Sequence, residues 1–102
     1  EYIPLFKVTP IYPRRAQERG IQGYSIVAFT ITETGTVEDV VPLEGFCGDP
    51  TDPATEYRKC SIFNSAASRA ALKLKYKPKI VDGNAVKVYD VPHKFTFILE
   101  DL

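Results

Sequence analysis

The sequence predicts an α+β domain: a three-stranded antiparallel sheet with two helices packed on one face. Three observations carry this. Tyr24 to Ile31 alternate with the two-residue period of a strand and run into Thr34-Gly35-Thr36, which reads as a hairpin turn. Phe63, Ala66, Ala67, Ala70, Ala71 and Leu74 fall at i, i+3, i+4, i+7, i+8 and i+11, one continuous apolar helical stripe. Phe95, Phe97 and Leu99 alternate with Lys94, Thr96 and Ile98, which gives a last strand with one apolar face.

In chain order, residues 1–9 hold Ile3, Leu5, Phe6 and Val8 around Pro4, an extended segment whose apolar content lays it on the domain. Pro10 and Pro13 keep Ile11 and Tyr12 extended. Pro13 also suits a helix's first turn, where its missing N–H costs nothing. The short helix that follows is polar except for Ala16, which faces inward, and Gly20 and Gly23 stop it. The first strand spans about Gln22 to Thr32, with Val27, Phe29 and Ile31 toward the core and Ser25 the one polar residue in that register. The return strand covers about Thr36 to Val41, supplying Val37 and one or both of Val40 and Val41, and Pro42 is expected to end its pairing. Residues 44–60 read as an inserted loop. The second helix runs from about Ile62 to Leu74 with Ser61 as N-cap, and Tyr76 and Pro78 end it. Asp82-Gly83-Asn84 turns the chain back into the last strand.

At 102 residues, with 44% hydrophobic and 25% charged side chains, the chain is expected to form one domain over residues 1–102 with a single modest core. Its formal net charge of zero gives no global argument for nucleic acid or an anionic membrane. No apolar run approaches the ~20 residues of a membrane span, and no signal-peptide pattern appears. The chain starts at Glu1 rather than Met, so an excised piece of a longer protein is expected, with anchor and linker upstream. Charge is segregated: from Glu33 to Tyr57 it is all acidic, and from Arg58 to Lys79 all basic. A solvated acidic loop followed by a helix with a basic outer face accounts for this. A basic face meeting an anionic partner is the alternative.

Cys47 and Cys60, the only cysteines, bracket a segment rich in Pro, Asp and Thr. A long loop without core residues gains from a covalent tie, of order ~3 kcal/mol, so a disulfide and an oxidising compartment are expected. Two cysteines with the sole histidine, His93, distant in sequence make a poor zinc site. Asp49, Asp52 and Glu56 lack EF-hand spacing, and prolines interrupt them. Gly20 and Gly23 precede a strand, so they form no phosphate loop. No catalytic motif includes His93 or any serine. The expectation is therefore no enzyme, no metal and no cofactor, but recognition of a partner. An unpaired strand edge is a template for another extended chain, and the last strand, Val91 to Leu99, is expected to lie at an edge. That edge is either open to a guest, or covered by the N-terminal segment or a second copy.

The string P-x-Y-P-x-x-A-(x)4-I-x-G-(x)5-F-(x)5-G-x-V, here Pro10, Tyr12, Pro13, Ala16, Ile21, Gly23, Phe29, Gly35 and Val37, resembles the periplasmic C-terminal domain of TonB-family energy transducers. Phe63, Ala66, Ala70, Tyr76 and Pro78 match the family's second helix, and the ending KFTFILE is similar to its last strand. There are two departures: Leu74 stands where a tryptophan is frequent, and the loop between second strand and second helix is longer. The resemblance implies a periplasmic domain, tethered to the inner membrane in the full-length protein. Such a domain couples a proton-driven motor complex to outer-membrane transporters for siderophores, cobalamin and similar nutrients, and nucleic acid is not a partner. It implies a transporter peptide, the TonB box, added as a strand beside Val91, His93, Lys94, Phe95, Thr96, Phe97 and Ile98. By position it also implies transporter contacts at Thr9, Pro10, Ile11 and Arg15, around Tyr12. A homodimer is open, and a TolA-like envelope module binding other periplasmic partners is the alternative.

Overall fold

The computed structural model, which describes residues 2–100, puts the Tyr24–Ile31 alternation at the centre of the sheet. The elements are α1 (Arg14–Glu18), β1 (Gly23–Ile31), β2 (Val37–Cys47), β3 (Arg58–Lys59), α2 (Asn64–Ala71), β4 (Lys79–Val81), β5 (Asn84–Val86) and β6 (Val88–Phe97). The main sheet has the order β3-β2-β1-β6 with every pair antiparallel, and β4 and β5 form a separate hairpin. The three long strands are the expected ones. Added to them are the two-residue β3, from inside the cysteine-bracketed segment, and the β4–β5 hairpin around Asp82-Gly83. Glu1, the first residue of the expected N-terminal segment, lies outside the described residues.

The core forms where the two periodicities meet. Val27, Phe29 and Ile31 of β1 are buried against the α2 stripe, in which Phe63, Ala66, Ala67, Ala70, Ala71 and Leu74 are all buried. The four small alanines let the helix backbone come close to the sheet, so burial is achieved with little side-chain entropy lost. Ser25, in the core register but polar, is fully buried and donates its hydroxyl to Asn64 Oδ1 at 2.9 Å. That bond satisfies the group and locks α2 to β1. Tyr12 sets α1 in place. Its ring edge lies against Phe63 (5.8 Å) and Phe97 (5.7 Å), its hydroxyl donates to the Ile21 carbonyl, and Ala16 of α1 is fully buried. Phe63 and Phe97 themselves stack at 4.4 Å.

Two local expectations are corrected. Ser61 does not cap α2 with its side chain; the N-cap position is Phe63, with no side-chain cap, and the Ser61 carbonyl accepts the Asn64 N–H at 3.1 Å. The burial of Phe63 fixes that turn instead. Pro42 does not end β2, which continues to Cys47. Pro42 stands opposite Val27 beside a register shift, while β3 pairs only with Phe46 and Cys47. Its nitrogen therefore takes a position where no ladder donor is needed. Further bulges occur on both sides of β1 at one level, with Asp39 at φ 55° and Asp90 at φ 56°. Aspartate is among the few non-glycine residues that adopt this left-handed conformation readily.

The cysteines form the expected disulfide between Cys47 and Cys60. It joins the end of β2 to the chain entering α2. The intervening segment folds back on the sheet's other face, where Tyr57 meets Tyr24 at 5.2 Å and Tyr24 meets Phe46 at 5.4 Å. Asp49 organises that segment, accepting from the Thr51 N–H (2.9 Å) and hydroxyl (2.6 Å), and these bonds lower its pKa.

Candidate peptide-docking edge

Among the described residues, β6 pairs with β1 alone, so its other side is an edge of the sheet. Which main-chain groups face outward follows from the register. Pro92 has no N–H to give and pairs with Ala28, so it fits where its nitrogen points away from β1. Further along, the Leu99 N–H turns toward the β1 side and donates to Gln22 Oε1 at 2.7 Å. Main-chain direction alternates residue by residue along an antiparallel strand. His93, Phe95 and Phe97 therefore bond to β1, while Lys94 and Thr96, with Ile98 just past the strand's end, turn N–H and C=O outward. Among the described residues, no main-chain bond outside the strand ladders involves these three.

The outward edge looks into a groove of about 620 Å³. One side is His93 to Thr96 with Ile98. The other is the N-terminal segment, through Ile3, Pro4, Phe6, Lys7, Val8, Thr9 and Pro10, with Leu74 also lining it. That segment lies along the domain, as its apolar content suggests. Val8 packs on the core and the Leu5 N–H donates to the Lys75 carbonyl at 2.8 Å. It flanks the edge without pairing to it.

The sequence-derived residues divide into groups. Val91, Phe95 and Phe97 are buried, with side chains in the core. Lys94, Thr96 and Ile98 are exposed at the edge, and Lys94 sits over the Tyr24 ring at 4.2 Å. His93 is half-buried, with its ring 4.6 Å from Phe95, and burial holds its pKa below the ordinary histidine value. Thr9 and Pro10 line the groove, whereas Ile11 and Arg15 are exposed and outside its lining. Tyr12 is half-buried and braces the core. The sequence left open whether the N-terminal segment covers this edge; residues 3–8 instead stand across the groove from it without pairing. The available signal was apolar side chains in an extended segment bounded by prolines.

Among the described residues that line the groove, the charged side chains are Lys7 and Lys94, and none is a carboxylate. Among the described residues, no group of three or more His, Cys, Asp and Glu side chains is placed to hold a metal ion. Among the same residues, no helix is long and apolar enough to cross a membrane. An open ladder edge beside an apolar trough can hydrogen-bond an extended chain and cover its side chains.

Comparison with known proteins bears on the family and the fold. A family model described as Gram-negative bacterial TonB protein C-terminal matches residues 8–45. The chain is 32% identical over 83 residues to the protein TonB of Pseudomonas aeruginosa, covering 81% of this chain and 21% of that protein. The chain thus spans about a fifth of the length of that curated relative. The solution structure of the Pseudomonas aeruginosa TonB C-terminal domain superposes with a TM-score of 0.67 at 31% identity, covering 98% of this chain and 88% of that one. A structure of the tonb2 protein from Vibrio anguillarum gives 0.60 at 30% identity, covering 99% and 84%. With sequence and fold matched over nearly its whole length, the chain belongs to the TonB family as a C-terminal domain.

Proposed function

We propose that this domain is the periplasmic end of a TonB-type energy transducer, and that it holds the TonB box of an outer-membrane transporter as an added strand along β6. The observation that carries the reading is the unpaired outward edge at Lys94, Thr96 and Ile98. Each of these residues offers one N–H and one C=O to a guest strand. Such bonds are worth about 0.5–1.5 kcal/mol each net. A pull along the strand loads them together, and they re-form when the force ends. In the full-length protein, an inner-membrane tether and a proton-driven motor would supply that pull, in the uptake of siderophore- or cobalamin-type nutrients. The role is mechanical recognition rather than catalysis.

Titration of the 15N-labelled domain with a TonB-box peptide tests this. Amide shifts and new hydrogen-exchange protection are expected at Lys94, Thr96 and Ile98, with little change in protection at Phe95 and Phe97. Saturating binding that leaves β6 unperturbed would refute strand addition. Capture of non-transporter envelope proteins alone from outer-membrane extracts would favour a TolA-like module instead.

A further inference from the structure

We infer that residues 3–8 are the second wall of the docking groove, so that a guest strand on β6 is gripped from two sides; this rests on the strand-addition reading above. Ile3 is 78% exposed and Phe6 is 53% exposed, yet both line the groove that faces the open edge. The segment is nevertheless held in place, by Val8 packed on the core and by the Leu5 N–H bonded to the Lys75 carbonyl at 2.8 Å. Pro4 and Pro10 restrict the backbone on either side of these anchors. A wall already fixed in position costs little entropy to close on a ligand. It also leaves Ile3 and Phe6 unburied until something fills the groove.

The occupant is an extended peptide carrying a carboxylate. Its main chain pairs with Lys94, Thr96 and Ile98, and its side chains on one face meet Ile3 and Phe6. Among the described residues that line the groove, Lys7 on the wall is the cation left to complement an acidic guest residue, because Lys94 holds its ammonium over the Tyr24 ring. The volume of about 620 Å³ lies within the roughly 300–1,000 Å³ of sites that enclose small ligands. The wall therefore adds apolar and charge selectivity to an edge whose main-chain bonds are blind to sequence.

Leu5 provides the control. It is 61% exposed on the same segment but does not line the groove. The test is to titrate the wild-type domain, Ile3→Ala, Phe6→Ala and Leu5→Ala with one acidic TonB-box peptide, following β6 amides. Ile3→Ala and Phe6→Ala should each weaken binding about fivefold, the scale of one partly buried apolar side chain, and Leu5→Ala should stay within about twofold. Lys7→Glu should weaken it further at low salt than at high salt. Equal affinity in Ile3→Ala, Phe6→Ala and wild type, with β6 shifts intact, would overturn the wall and leave strand addition standing. A wild-type domain whose β6 amides ignore the peptide would fail the strand-addition reading instead. Concentration-dependent shifts along the groove without peptide would assign the groove to a second copy of the chain, and so overturn the proposal as well.

Discussion

Replacing Thr96 by proline separates the two sides of β6. Thr96 is exposed, pairs with Tyr24 and, by the alternation that Pro92 and Leu99 set, turns its N–H away from β1. Proline there removes a donor the fold does not use, and Pro92 shows that this strand already holds one such ring. Stability should therefore change by no more than about 1 kcal/mol. For a guest strand the loss is larger. One outward N–H disappears and a guest carbonyl is left without its donor, at about 1–3 kcal/mol, so the Kd should rise about tenfold or more. His93→Pro is the opposite case. His93 pairs with Val27 in the bonded register, and losing its N–H strands a carbonyl inside the sheet, at about 1–3 kcal/mol of stability before ring strain. Urea unfolding of both variants, with peptide titration by NMR, measures the two effects. If Thr96→Pro bound the peptide as wild type while folded, or unfolded as readily as His93→Pro, the outward assignment would be wrong.

Three further outcomes follow from the fold. Removing the disulfide as the Cys47→Ala/Cys60→Ala double variant releases a loop of sequence separation 13, so stability should fall by about 3 kcal/mol and Tm by about 10–20 °C in a thermal melt. Gly35→Ala should cost more than about 2 kcal/mol, because Gly35 has φ 86° and an added Cβ would press into the Tyr76 carbonyl oxygen. A denaturant series on that variant would expose the error if the cost were negligible. Burial lowers the His93 pKa in the folded state, so the unfolded chain takes up the proton first as pH falls. His93's contribution is thus complete above the ordinary histidine pKa of 6.5 and is lost as pH drops below it. Urea melts at pH 7.5 and 5 should show this slope, and His93→Gln should flatten it.

The sequence alone determined whatever depends on local periodicity. The Val27-Phe29-Ile31 face, the alanine stripe of α2 and the inward Ala16 were legible because period two and period 3.6 report which side is buried. The disulfide was legible from two cysteines around a coreless loop. Pro42 was misread because a proline's effect depends on whether its nitrogen faces a partner, and that is a property of register with β1. The brief strand β3 and the packing of Tyr57 on Tyr24 depend on where the disulfide returns the chain, which no local pattern carries. The docking edge divided the same way. An unpaired last strand could be expected from element order, but its outward residues required the pairing of Pro92 with Ala28. The opposing wall required residues 3–8 to be brought beside residues 93–98. Contacts between segments so far apart along the chain leave no periodic trace in either one, because they are fixed only when the whole core closes.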